Sequence, residues 1–208
     1  MRRSEAARTA LLDAAERLFA ESGVAEISDR RVAEAAGNTN HSAVRYYFGG
    51  REGLLKALMA RHVHAVAEQR AQMPPTDDSI LGDIRGLVEP SMRVLDQLPR
   101  PSWRARFLEH MLHNPTTVPI MREAQDTTPQ ALELRESLAA RLRHLDPEVV
   151  AGRALLITRI VSTTTAEVEA RAERTGEDPQ WPEVGDFLVD AITGMLSAPI
   201  SRPRLPER

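Results

Sequence analysis

The apolar positions at the start of the chain recur with the spacing of helices. Between Ala7 and Phe19 they fall at offsets 0, 4, 7, 8, 11 and 12, which form one stripe of a helix with a period of 3.6 residues. Gly23 ends this pattern. A second, shorter helix is predicted behind Ser28, whose hydroxyl can accept from the free amides of the first turn, and it closes at Gly37.

A third, short helix is predicted after the polar residues 38–40. Val44 and Phe48 lie four positions apart on its buried side, which leaves Arg45 and Tyr46 toward solvent. The pair Gly49-Gly50 breaks this helix. Two helices joined at a glycine, the second with an exposed basic and aromatic face, are the layout of a helix-turn-helix. The sequence therefore predicts a DNA-binding domain at residues 1–50.

Helical patterns continue through the rest of the chain, with prolines at the joints. A helix from about Arg51 should stop before Pro74-Pro75. Further helices are predicted near residues 79–98, 102–113, 117–144 with a break around Thr128-Pro129, 147–174 and 182–197. The fold class is therefore all-α with about nine helices. A larger helical domain is expected at residues 51–198 and a flexible tail at 199–208.

Composition narrows the possible functions. The chain has no cysteine, which excludes disulfides, thiolate metal sites and cysteine nucleophiles. It also lacks a glycine-rich phosphate loop, a Gly-x-Ser-x-Gly elbow and a His-Glu-x-x-His run, so an enzyme, such as a helical metal-dependent hydrolase, is only a remote alternative. No apolar stretch near the N-terminus is long enough for a signal peptide or a membrane span, so we expect a cytoplasmic location with no membrane partner.

The third helix carries the candidates for DNA recognition. Arg45 offers two donors that match the acceptors of guanine in the major groove, and His41 and Ser42 near the start of the helix are the other candidates for base contact. Phosphate contact is expected from Ser28, Thr39, Tyr46, Tyr47 and Arg51. Tyr47 also lies at the edge of the buried face, so packing is the alternative role for it.

Aromatic, histidine, methionine and threonine side chains in the C-terminal half suggest a pocket for a small organic molecule. Apolar walls with a few polar groups suit such a ligand. The candidates are Met92, Trp103, Phe107, His110, Met111, His113, Met121, Thr163, Thr164 and Thr165. Helical spacing of Trp103, Phe107 and Met111 equally fits a packed core. His110 and His113 are three apart, but no third ligand accompanies them, so we expect no metal and no cofactor.

The last two long helices are more apolar than one small bundle readily hides. A two-fold four-helix bundle would bury them, which predicts a homodimer and hence a palindromic DNA site. The alternative is that these stripes only complete the core of the monomer.

Three motifs, in order and in spacing, closely resemble the N-terminal domain of the TetR family of bacterial transcriptional regulators. They are Leu11-Leu12-Asp13-Ala14-Ala15 with Leu18-Phe19-Ala20-Glu21-Ser22-Gly23, then Val32-Ala33-Glu34-Ala35-Ala36-Gly37, then Val44-Arg45-Tyr46-Tyr47-Phe48-Gly49-Gly50-Arg51-Glu52-Gly53-Leu54-Leu55. The resemblance covers about residues 8–56. It implies a homodimer whose three N-terminal helices bind DNA and whose C-terminal helices bind a ligand and dimerise.

This chain departs from the family pattern at two places. The turn after Gly37 is one residue longer, and Arg51 stands where lysine is usual. The resemblance implies a ligand-responsive repressor released from a palindromic operator by a small molecule. The alternative is a DNA-binding regulator without such an effector, controlled by a protein partner or by abundance.

Overall fold

A computed structural model describes residues 2–125 and 128–200, which contain ten α-helices and no strand. The helices are α1 (Arg2–Ser22), α2 (Asp29–Ala35), α3 (Ala43–Phe48), α4 (Arg51–Ala71), α5 (Ile80–Asp96), α6 (Arg104–His113), α7 (Val118–Gln125), α8 (Pro129–Leu142), α9 (Pro147–Thr175) and α10 (Trp181–Ser197). The all-α prediction is confirmed.

The tenth helix arises where a break was expected in the predicted helix at 117–144. Thr128 is extended, and Pro129 occupies the first turn of α8, where its missing amide removes no helical hydrogen bond. Two helices, α7 and α8, therefore replace one. The predicted tail at 199–208 lies outside the described residues from position 201 onward.

The interior consists of two apolar clusters. The first contains side chains of α1, α2, α3, α4, α6 and α7. The rings of Phe19 and Phe107 meet in it with centroids 6.2 Å apart. The second joins α5, α8, α9 and α10 around Trp181. The three N-terminal helices therefore share their core with α4 and α6, so that a shift of either helix moves their packing surface.

Helix α4 is the physical link between the two clusters. Its N-terminal half places Leu54 and Leu58 in the first cluster, and its C-terminal half packs along α5. At 21 residues it is roughly 30 Å long. The N-terminal end of α4 follows closely after α3, and its C-terminal half packs against α5.

Candidate DNA-binding surface and interior cavity

The turn between α2 and α3 is built from short polar side chains. Ser28 caps α2, since its Oγ accepts from the amide of Arg31 at 3.2 Å, which confirms the predicted cap. Gly37 has φ +67°, a left-handed conformation that glycine adopts most cheaply. In the longer turn, Asn38 Oδ1 accepts from the amide of Asn40, and Asn40 Oδ1 accepts from the amide of Ser42, each at 3.0 Å. The extra residue is thereby absorbed in two consecutive side-chain turns.

These turns leave one face of α3 open to solvent. Val44 is fully buried beneath it, whereas His41, Ser42 and Arg45 are exposed. Tyr46 is 76% exposed. Ser42 precedes α3 without using its hydroxyl as a cap. The residues predicted to read bases therefore share one accessible surface, which we call the α3 face.

Few of the polar groups at the α3 face are committed to partners within the protein. No described residue pairs with the guanidinium of Arg45. His41 Nε2 lies 3.7 Å from Glu34 Oε1, but that carboxylate already accepts from Arg30 Nε at 2.8 Å, a bond that lowers the pKa of Glu34. Arg45 is thus free to meet an external acceptor.

The residues predicted to contact phosphate are placed in two ways. Thr39 and Tyr46 are exposed, and Ser28 is exposed although its hydroxyl accepts from the α2 amide. Tyr47 is half-buried against the first cluster, and its ring meets that of Tyr46 edge-on with centroids 4.9 Å apart. Packing is therefore one role of Tyr47; phosphate contact by these residues stays a prediction.

Arg51 differs from the expectation that it faces a phosphate. Its guanidinium turns inward, where it donates to the carbonyl of Val24 and to Asp29 Oδ1 at 3.2 Å. It also lies over the ring of Phe19, 4.3 Å from the centroid. Burial lowers its pKa, although Asp29 acts in the opposite direction. Because the pairing is satisfied within the protein, Arg51 ties the start of α4 to the loop before α2.

A buried ion network joins α1 to α4 and α6. Glu16 on α1 accepts from Arg104 Nε on α6 at 2.6 Å and from Arg61 Nη2 on α4 at 2.8 Å. Arg61 Nη1 also donates to Asp13 at 2.5 Å. Only 5% of the Arg104 side chain and 10% of the Glu16 side chain are exposed. Three helices therefore meet at charges that neutralise one another, and we call this network the junction.

An interior cavity of about 260 Å³ lies beside α4, bounded also by α5, α6, α7, α8 and α9. Apolar side chains such as Val66, Leu95 and Val161 form most of its wall. His62 and Arg70 contribute polar groups from α4, and Arg135 contributes one from α8. The cavity is slightly smaller than the roughly 300 to 1,000 Å³ that is usual for small-molecule sites.

The predicted pocket residues divide between the cavity and other places. Met92, Met121 and Thr165 line the cavity, whereas the other seven residues do not. Phe107 and Met111 are fully buried in the first cluster, as the core alternative expected. The other five outside the cavity are Trp103, His110, His113, Thr163 and Thr164. No group of three potential metal ligands occurs in the described residues.

Sequence reasoning missed the polar groups of the cavity wall. His62 and Arg70 are eight residues apart on α4 with Val66 halfway, so the three share one helix face. The sequence signal that could have revealed them is the presence of polar residues on a face of α4 that is otherwise apolar.

An exposed apolar surface runs along α9 and α10. Phe187 is 65% exposed, Leu155 50% and Leu156 46%. By length and composition, α9 is long and apolar enough to cross a membrane. Only 11% of its most apolar window is buried inside the chain, so most of this window is not covered by the other helices. Exposed apolar surface of this kind is typical of surfaces that contact a partner.

Comparisons with known proteins agree with this architecture. No curated protein sequence matches the chain. It is similar in structure to a TetR family transcription regulator from Marinobacter aquaeolei VT8, with a TM-score of 0.62 and 18% identity over 92% of this chain and 98% of the other. A putative tetR family regulator from Shewanella sp. PV-4 gives a TM-score of 0.60 and 15% identity over 91% and 95%. At these identities the likeness shows the fold.

The sequence match is confined to the N-terminal helices. Residues 11–58 match the family model described as bacterial regulatory proteins, tetR family. This range spans most of α1, all of α2 and α3, and the start of α4. It includes the α3 face and the turn that presents it. Residues 11–58 are therefore a domain of the bacterial regulatory proteins, tetR family. The family and the structural neighbours are transcriptional regulators.

Proposed function

We propose that the protein is a cytoplasmic, homodimeric, sequence-specific transcriptional repressor that a small organic molecule releases from a palindromic operator. The observation that carries this proposal is the α3 face, on which His41, Ser42 and Arg45 are exposed above a fully buried Val44. A rigid helix with an uncommitted guanidinium suits the major groove, where arginine recognises guanine through two acceptors.

The dimer is supported by the exposed apolar surface of α9 and α10. Leaving Phe187, Leu155 and Leu156 in water is unfavourable, and a second copy of the same surface would cover them in a four-helix bundle. A membrane is a poorer occupant, because Arg159 is exposed near the middle of α9. Two recognition helices related by two-fold symmetry then require a palindromic DNA site.

Release by a small molecule is supported by the position of the cavity. It lies against α4, whose other end follows directly from α3. A ligand that shifts α4 would change the separation of the two recognition helices. A coupling free energy of about 1 to 3 kcal/mol already changes operator affinity roughly 5- to 150-fold. The cavity favours this mode over control by a protein partner alone.

Footprinting of the purified protein on the DNA upstream of its own gene tests the proposal. We expect a protected palindrome, and sedimentation equilibrium should show a two-chain species. Arg45→Ala should cost about 1 to 3 kcal/mol of operator binding and relax one base position. The matched control is Arg17→Ala on α1, because Arg17 is an exposed arginine whose guanidinium lies 3.8 Å from the carboxylate of Glu21. The absence of any protected palindrome, or unchanged binding by Arg45→Ala, would contradict the proposal.

A further inference from the structure

We propose that Arg8 on α1 binds a phosphate of the DNA backbone beside α3, and that stacking on the ring of Phe48 holds its guanidinium in place for this contact. The inference rests on the proposed function, since it adds a residue to the same DNA-binding surface. It is carried by the geometry of Arg8 and of the aromatic side chains that connect it to the α3 face.

Three consecutive aromatic side chains of α3 and one arginine of α1 form a row. Tyr46 is exposed, and its ring meets the ring of Tyr47 edge-on with centroids 4.9 Å apart. The ring of Tyr47 lies beside that of Phe48, with centroids 6.5 Å apart. Cζ of Arg8 lies over the ring of Phe48, 5.2 Å from its centroid. The row therefore leads from the α3 face to a cation on α1, and we call it the aromatic row.

Arg8 extends the buried stripe of α1 toward its N-terminus. Leu11, Leu12 and Ala15 follow Arg8 at offsets 3, 4 and 7, and all three are buried in the first cluster. Arg8 itself is half-buried, and so is Phe48 beneath it. The methylene groups of an arginine can cover apolar surface while its charged end stays accessible. The position therefore combines an apolar support with access from outside.

Arg51 shows how a stacked guanidinium behaves when its acceptors lie within the protein. It lies over the ring of Phe19 and donates to the carbonyl of Val24 and to Asp29. A guanidinium that stacks through its face keeps its N–H donors in the plane, directed at acceptors around its edge. Arg8 is also stacked on a phenylalanine, but among the residues that the structure describes no oxygen accepts from it.

An oxyanion from outside the protein is the complementary partner of Arg8. The planar fork of a guanidinium matches two oxygens of a phosphate, and a stacked guanidinium has lost part of its freedom before it binds. DNA presents a phosphate at every nucleotide beside a helix that lies in the major groove. The guanidinium of Arg8 is therefore suited to the backbone of the DNA that α3 recognises.

The place of Arg8 in the fold favours a phosphate over a base. It approaches α3 at Phe48, the last residue of the helix, whereas the residues expected to read bases come earlier. Arg51, which follows α3, turns its guanidinium inward and leaves this end of the helix without that cation. Arg8 supplies the charge from α1 instead. A contact of this kind positions the helix and carries no sequence information.

Fluorescence anisotropy of the full chain with two DNA duplexes tests the inference. One duplex is the operator fragment that footprinting protects, and the other has the same length and a scrambled sequence. Arg8→Gln should weaken binding to both duplexes about tenfold. Over a series of salt concentrations it should also reduce the slope of log K against log salt by about one for each chain bound. Arg45→Ala, in contrast, should affect mainly the operator.

Two further variants separate the charge of Arg8 from its stacked geometry. Arg8→Lys keeps the charge and therefore the salt slope, but it loses the fork and should bind both duplexes more weakly than the wild type. Phe48→Leu keeps an apolar side chain and removes the ring, which should weaken binding about two- to fivefold. In the Arg8→Gln background, Phe48→Leu should have no further effect, because the ring then supports no cation. A purely structural role of the ring would give the same loss in both backgrounds.

Arg17→Gln is the matched control, because Arg17 is an exposed arginine of the same helix that lies 3.8 Å from Glu21. It should leave the affinity and the salt slope unchanged on both duplexes. Circular dichroism checks that each variant is folded. If Arg8→Gln does not fold, the comparison of Arg8→Lys with the wild type decides, and equal affinities would overturn the inference.

The inference is also overturned if Arg8→Gln binds both duplexes with the affinity and salt slope of the wild type, or if its loss is confined to the operator. It is equally overturned if Arg17→Gln lowers the slope as much as Arg8→Gln does. In each of these cases the wild type still binds DNA, so the proposed function stands. A wild type that binds neither duplex would instead remove the proposed function, and the inference with it.

Discussion

Two arginines on α4 show how differently the same side chain is used at the junction and at the cavity. Arg61 donates to Glu16 and to Asp13, and its pKa is raised because these carboxylates outweigh the opposing effect of burial. Arg70, nine residues later, is also half-buried, yet its pKa is lowered by burial and by Arg135. Arg61 has counterions within the protein, whereas no carboxylate in residues 2–125 and 128–200 pairs with Arg70.

The two arginines differ in whether a carboxylate of the described residues pairs with them. At the junction, the charges of Arg61, Arg104 and Glu16 compensate one another and hold α1, α4 and α6 in one arrangement. At the cavity, Arg70 pairs with no carboxylate among the described residues, and its Nε donates to the carbonyl of Gly86. The middle of α4, at Arg61, and its C-terminal end, at Arg70, therefore differ in how their charge is balanced.

The largest expected effect tests how much the buried ion pairs of the junction contribute to the free energy of unfolding. Glu16→Gln removes the carboxylate that faces Arg104 and Arg61 and leaves a buried guanidinium without its counterion. The free energy of unfolding should fall by about 3 to 5 kcal/mol. Urea denaturation followed by circular dichroism measures this change.

An exposed glutamate on the same helix provides the control for that change. Glu21 lies 3.8 Å from Arg17, and both side chains are 39% exposed. Glu21→Gln should therefore cost less than about 1 kcal/mol. Equal effects of Glu16→Gln and Glu21→Gln would show that the junction is no stronger than a surface ion pair.

His62 lies between the two regions and links their pH dependence. It lines the cavity, and Arg104 of the junction helps burial to lower its pKa to about 3, against 6.5 in the unfolded chain. Between these values the unfolded chain binds a proton that the folded chain does not. Stability is therefore full above pH 6.5 and falls as the pH decreases below it.

The size of this loss is about 1 to 2 kcal/mol between pH 7 and pH 5, since His62 keeps some accessible surface. His62→Gln should flatten the pH dependence by that amount in urea denaturation. His64→Gln is the matched control, because His64 is on the same helix with a side chain 77% exposed. If both variants keep the wild-type slope, the imidazole of His62 is not held neutral by its surroundings.

The helices and the α3 face could be predicted because their determinants are local. A serine cap, a glycine at φ +67° and an apolar stripe fix where α2 ends and which side of α3 faces water. The cavity could not be predicted in this way. Phe107 and Met92 both lie on apolar stripes, and only the packing of α6 and α5 decides that the first enters a core and the second a cavity wall.

Arg51 shows the same limit within the recognisable N-terminal region. Its position after the recognition helix favours phosphate contact, but the fold places a free carbonyl, Val24, and a carboxylate, Asp29, within its reach. Val24 lies between α1 and α2 and Asp29 is the first residue of α2, both more than twenty residues earlier in the chain. A contact at that separation is set by the tertiary structure, and spacing along the sequence does not reveal it.

The smallest expected effect concerns the contribution of Arg70 itself to the stability of the fold. Arg70→Met loses the bond from Nε to the carbonyl of Gly86, but it also removes a half-buried charge. These changes oppose each other, so the free energy of unfolding should change by about 1 kcal/mol or less. Pro90→Ala supplies the missing amide to the same carbonyl.

A double-mutant cycle in urea therefore separates the two parts of the guanidinium. In the Pro90→Ala background the carbonyl of Gly86 has its own helical donor, so Arg70→Met should become about 0.5 to 1.5 kcal/mol less destabilising than in the wild type. Additive effects of the two substitutions would show that the bond from Nε contributes nothing to stability. A positive coupling would show that the bond from Nε to the Gly86 carbonyl stabilises the fold. The amide of Pro90→Ala replaces only that bond. The terminal nitrogens of Arg70 would then differ from those of Arg61, which donate to carboxylates at the junction.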